Sequence, residues 1–184
     1  SILDVQHDEI GGNKLLLLNG DLGTGKSHAL LWARWQLLWG PDKDKYNATC
    51  YYIRTIRDGQ KANLGMAYRT DILNGGLLDE LDVFKNWFRT QLLQYMQDNN
   101  LDSASSHEEV INEMVNDPSM YDLTVKIHNA LNRDDLMKLY RTTGALKDAE
   151  VIALITQTFS LFTLPINLSS GKVRFRNAAY LFID

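Results

Sequence analysis

The eight residues Gly20-Asp21-Leu22-Gly23-Thr24-Gly25-Lys26-Ser27 place three glycines, a lysine and a hydroxyl at the spacing G-x-x-x-x-G-K-[ST]. Each residue type suits a polyphosphate. Gly20, Gly23 and Gly25 let the backbone turn successive N–H groups inward toward phosphate oxygens. Lys26 reaches the β- and γ-phosphates as a compact point charge. The Ser27 hydroxyl is a hard oxygen ligand suited to Mg²⁺. A random chain of this length shows the pattern at a rate of roughly 1% or less, so a chance match in a glycine-containing turn is the weaker explanation.

The loop needs a strand before it and a helix after it. Lys14 to Asn19 is a short apolar run between Gly11-Gly12 and Gly20, as expected of a buried strand through Leu15–Leu18. Ser27 to Trp39 has a helical pattern and stops at Gly40-Pro41. Its N-terminal end would point its positive pole at the same phosphates. Tyr46 to Arg57, rich in aromatic and β-branched residues, reads as a second strand. Strand, glycine turn, helix, strand implies a parallel sheet and an α/β fold.

Hydrolysis of a bound nucleotide also needs an acid to hold Mg²⁺. Ala179-Tyr180-Leu181-Phe182-Ile183-Asp184 is an apolar strand with a carboxylate at its tip. Alone it reads as an ordinary buried strand; beside a phosphate loop it reads as the metal acid. Guanine-specific switches carry Asn-Lys-x-Asp, whereas Asn13-Lys14 is followed here by Leu15-Leu16, which favours ATP over GTP.

With both pieces in view, Gly20–Ser27 and Leu181-Phe182-Ile183-Asp184 resemble the Walker A and Walker B motifs of the AAA+ ATPases. Through Asp21 and His28 the loop is also similar to that of large AAA+ ATPases of bacterial and archaeal antiphage defence. The resemblance implies a three-layer αβα fold of the P-loop NTPase kind, with a mostly parallel sheet. Residues 1–184 would be the N-terminal part of that ATPase domain, with a helical insertion over about 58–165. It implies that Gly20 through His28 bind nucleotide, that Lys26 and Asp184 are catalytic, and that Ser27 and Asp184 hold the metal. ATP and Mg²⁺ are the implied cofactors. The family's catalytic glutamate would follow Asp184, and sensor 1, the arginine finger and the lid would lie later still, so the core reads as incomplete. A neighbouring subunit's arginine would make a homo-oligomer or larger assembly part of the machine.

Between the motifs the signal is helical. Apolar residues at Val83, Phe84, Trp87, Phe88, Leu92, Tyr95 and Met96 predict a helix over Val83 to Gln97. Ser106 and Glu109 fit a capping box ahead of Val110 to Val115. Further helices are expected over Tyr121 to Leu131, Asp134 to Tyr140 and Asp148 to Phe162. Pro165 to Gly171 reads as a break, Lys172 to Arg176 as a short strand and Ala178 to Ile183 as a buried one.

Other residues carry plainer expectations. Trp32, Trp35 and Trp39 share one helix face and read as a stripe packed on the sheet, with a partner or base-stacking surface as the alternative. Cys50 reads as a small buried residue. His7, His28, His107 and His128 are scattered without metal-ligand spacing. Asp79, Glu80 and Asp82 suit a solvated first helical turn. Lys172, Arg174 and Arg176 read as the charged face of an edge strand or, more sharply, as a basic hairpin for nucleic-acid phosphates.

Composition sets the bounds. The 184 residues are 45% hydrophobic and 23% charged, within the range of a folded domain. A formal charge of −4 argues against one large basic nucleic-acid platform. A single cysteine excludes an internal disulfide framework and fits a reducing compartment. No apolar run approaches the roughly 20 residues that cross a bilayer, and no signal peptide is visible, so a cytoplasmic protein without a membrane partner is expected. The functional expectation is an ATP hydrolase that does conformational work in a defence or DNA-related process. The alternatives are a nucleotide-dependent switch or scaffold without turnover, and a DNA-packaging or pumping motor.

Overall fold

The computed structural model describes residues 23–54, 56–57, 60–61, 63–102, 105–140 and 147–184. The expected strand through Leu15–Leu18 lies outside them. Helix α1 (Lys26–Trp39) is followed by the short α2 (Lys43–Tyr46) and strand β1 (Ala48–Ile53). Two-residue strands β2 (Ile56–Arg57) and β3 (Gln60–Lys61) pair antiparallel. Helix α3 (Leu64–Ala67) runs into a wide π-type segment, Tyr68–Leu77, which kinks at Gly76 (φ 130°) before α4 (Leu78–Asp98). Helices α5 (His107–Val115), α6 (Pro118–Asn129), α7 (Arg133–Tyr140) and α8 (Asp148–Thr163) follow, then β4 (Ile166–Leu168), β5 (Gly171–Val173) and β6 (Ala178–Ile183).

The centre is the parallel ladder of β1 and β6, with Ala48 opposite Ala178 and Ile53 opposite Ile183. Asn47 sets that register. Its carbonyl accepts from Asn177 N–H at 2.9 Å, and its Nδ2 donates to the Phe175 carbonyl at 3.1 Å. The small parallel sheet among many helices makes a mixed helix and strand fold, compatible with the α/β class, and the parallel partner of β1 among the described residues is β6.

Alternation along β1 gives the sheet two different faces. Ala48 and Cys50 face α1 and pack with Leu37, joined by Ala33, Leu38, Tyr46, Tyr180 and Phe182. Tyr51 and Ile53 face the helical region and belong to a core that runs through Phe84, Phe88, Ile111, Ile127, Val151 and Phe162. Tyr51 stacks on Phe159 with ring centroids 5.9 Å apart. Phe84 meets Phe88, Phe162 and Phe175 at centroid distances of 5.3 to 6.0 Å, which fastens α4, α8 and the turn before β6 together.

Several sequence expectations change in the folded chain. The tryptophan stripe does not pack on the sheet: Trp32, Trp35 and Trp39 are 54%, 48% and 60% exposed. A helix can turn only one face to the sheet, and in α1 that face carries Ala33 and Leu37, four residues apart. Helix α4 starts at Leu78, ahead of the expected Val83, and buries Leu78 and Leu81 while Val83 stays exposed. Ser106 stands at the N-cap of α5, but its side chain makes no capping bond. At α8 the Lys147 N–H donates to Glu150 Oε2 at 2.8 Å. The expected break at Pro165 to Gly171 contains β4, which pairs with β5 through a two-residue turn. No described helix is long and apolar enough to cross a membrane.

Candidate functional site

Gly23 and Gly25 adopt φ of 80° and 83°, the left-handed region that side chains with a Cβ resist. A Cβ at either position would meet nothing within 4 Å, so conformation rather than crowding calls for glycine there. Gly25 caps α1, and its carbonyl accepts from Ala29 N–H at 2.9 Å. The first-turn amides of α1 therefore open beside Lys26 and Ser27, where a helix N-terminus favours an anion. Lys26 Nζ donates to Thr24 Oγ1 at 3.3 Å. His28 is exposed on the same turn. Gly20, Asp21 and Leu22 lie outside the described residues.

From the far end of the chain, β6 carries Asp184 to the same place. Its N–H donates to the Ile53 carbonyl at 2.9 Å, which extends the ladder one step beyond Ile183. Alternation puts residues 180, 182 and 184 on the α1 side of the sheet. The Ser27 hydroxyl donates to Asp184 Oδ1 at 2.6 Å across 157 positions of sequence. The Tyr52 hydroxyl donates to Asp184 Oδ2, also at 2.6 Å. The Ser27 bond first and the Tyr52 bond second hold the Asp184 carboxyl below the usual carboxylate range against the opposing effect of burial, with the Arg54 and Lys26 charges adding to the lowering. Burial first and the Asp184 bond second push the Tyr52 phenol up to about 12.

Thus Ser27, Lys26 and Asp184, named from the motifs, come together at the tip of the sheet. Tyr52 and Arg54 join them without having been named. Tyr52 stands two residues before Arg54 on the strand that pairs with β6, and only the pairing register brings it to Asp184. Arg54 N–H also donates to Asp71 Oδ2 at 3.2 Å, which links the strand tip to the helical region.

The Ser27 hydroxyl and the Asp184 carboxylate form a hard oxygen set that fits Mg²⁺, which typically takes one or two carboxylates and completes its shell with water and substrate phosphate. Among the described residues no group of three or more His, Cys, Asp or Glu side chains could cage an ion. A metal at Ser27 and Asp184 would therefore draw its remaining ligands from water or phosphate.

The other charged and imidazole groups have definite places. Glu80 is not a solvated residue of a helical first turn. Its Oε2 accepts from Thr49 Oγ1 and, at 2.9 Å, from Tyr51 OH, while Oε1 accepts from Arg176 Nε at 2.9 Å. Asp79 pairs with Arg133, and Asp82 with the buried Lys85 at 3.0 Å. Arg176 also donates to Asn47 Oδ1 at 3.0 Å and lies 4.2 Å over the Phe175 ring. It is therefore turned inward, whereas Lys172 and Arg174 are exposed on the β4–β5 hairpin and beside it. His107 and His128, distant in sequence, meet with Nδ1 and Nε2 3.3 Å apart. Cys50 is buried as expected, and burial pushes its thiol up to about 12.

Compared with known protein families, curated proteins and solved structures, the chain matches none of them.

Proposed function

We propose that this protein binds Mg·ATP at the loop Gly20–Ser27 and, with a water-orienting group completing the site, hydrolyses it as an AAA+-like P-loop ATPase. The observation that carries the reading is the 2.6 Å hydrogen bond from Ser27 to Asp184. Two residues that the motifs assign to the same metal, 157 positions apart in sequence, are in direct contact. The fold is compatible with the reading: α1 covers one face of the β1–β6 ladder and the helical region covers the other.

In this reading the turned amides of the loop and the first turn of α1 cradle the phosphates. Lys26 exchanges its bond with Thr24 for the β- and γ-phosphates. Ser27 and Asp184 hold Mg²⁺, which when bound neutralises the charge that develops on the transferred phosphoryl group. Assembly with further copies, so that a neighbour's arginine reaches the γ-phosphate, belongs to the same proposal.

The test is binding of a fluorescent ATP analogue together with phosphate release, for the unaltered protein and for Lys26→Ala. The variant is expected to lose nucleotide affinity, and any turnover should fall about 100-fold or more. Unchanged affinity in Lys26→Ala overturns the phosphate-loop assignment. Tight binding without turnover would make the protein a nucleotide-dependent switch, and turnover that DNA stimulates with a steep salt dependence would make it a DNA motor.

A further inference from the structure

We infer that Tyr52 is a positioning residue for the metal-holding carboxylate, a role that rests on the Mg·ATP reading above. Asp184 stands at a strand tip and is largely exposed, and its terminal torsion is intrinsically broad. Left alone, its carboxylate would sample many planes. Among the described residues a hydroxyl donates to each oxygen, Ser27 to Oδ1 and Tyr52 to Oδ2, both at 2.6 Å, the length of charge-assisted O–H···O⁻ bonds.

The two donors are not equivalent. Ser27 is itself a metal ligand in this reading, so it must serve ion and carboxylate together. Tyr52 is not among the metal ligands of this reading; its hydroxyl serves the carboxylate, with the Arg54 side chain beside it. Its base is firm, because β1 is hydrogen-bonded along its length to β6, with Tyr52 opposite Phe182. Ala48 and Cys50, on the same face, are small and lie buried beneath α1. Tyr52 is the first large residue on that face, and its length carries a hydroxyl from the ladder to the strand tip. A phenylalanine would keep the ring and remove the hydroxyl, with its bond to Asp184 and its contact with Arg54.

The experiment is a Mg²⁺ titration of the protein with a fluorescent ATP analogue, comparing the unaltered chain with Tyr52→Phe. Groups that orient a metal's ligands are typically worth about 10–100-fold in metal affinity. Tyr52→Phe is therefore expected to need about 10-fold more Mg²⁺ for half-saturation. Nucleotide affinity in EDTA and the midpoint of thermal unfolding should stay unchanged, which a merely structural role would not produce. An unchanged Mg²⁺ requirement, or equal losses with and without metal, overturns the role of Tyr52 while leaving the ATP site standing. An unaltered chain that binds no nucleotide overturns the site and this role with it.

Discussion

The Arg176 guanidinium donates through Nε to Glu80 Oε1 at 2.9 Å, joining the first turn of α4 to the segment that leads into β6. Both side chains are mostly buried, at 26% and 17% exposure, and the other Glu80 oxygen takes the hydroxyls of Thr49 and Tyr51 on β1. One carboxylate thus ties the helical region to both strands that build the candidate site.

Glu80→Ala should accordingly be among the more costly polar substitutions. It leaves the Arg176 charge and two hydroxyls short of a partner in a region with little water. A loss of about 2–4 kcal/mol is expected in urea unfolding, with Glu80→Gln losing less. A change under about 0.5 kcal/mol, the usual range for surface positions, would show that the network carries no stability.

His128 predicts a pH dependence. Burial first, then the Arg89 and His107 charges, lowers its pKa below the ordinary value of 6.5. Arg89 from α4 donates to the His128 carbonyl at 2.8 Å, His107 of α5 meets its Nε2, and Phe88 presents its ring at a centroid distance of 6.4 Å. As pH falls below 6.5, the unfolded chain takes up a proton that the folded chain resists. Stability should therefore decline with falling pH until the folded pKa is reached, with a slope of at most about 1.4 kcal/mol per pH unit. His128→Gln should flatten that decline in urea unfolding measured across a pH series. An identical slope in the variant would place the titration elsewhere.

Cys50 gives a direct probe of the α1 side of the sheet. Its thiol is buried between α1 and β1, and burial pushes its pKa up to about 12. At mildly alkaline pH a thiol-disulfide reagent should label it only as fast as the sheet opens, with sub-denaturing urea accelerating the reaction. Immediate labelling of the folded protein would mean that α1 does not cover the strand.

Much of the fold is legible in the sequence because it rests on local periodicity. Helix α8 begins at Asp148 and β6 spans Ala178–Ile183, where the pattern put them, since apolar spacing and β-branched or aromatic content act within a few residues. The tryptophans of α1 misled for a related reason. Periodicity shows that they share a face, but not whether that face meets the sheet. Glu80 misled because acidic residues in a first helical turn are normally solvated, and only the approach of β1 and Arg176 encloses it.

The same division runs through the candidate site. By itself the sequence determined its components: a glycine loop able to take positive φ, a lysine and a serine at the start of a helix, and an aspartate at the end of an apolar strand. Backbone freedom, charge and side-chain period are properties of short segments. Tertiary structure alone decided that Ser27 meets Asp184 across 157 positions, that Tyr52 reaches the other carboxylate oxygen, and that His107 lies against His128. Those contacts depend on the β1–β6 register and on which face of each helix is buried. Register and facing are settled by packing the whole core at once, because no short segment can bury its apolar surface alone.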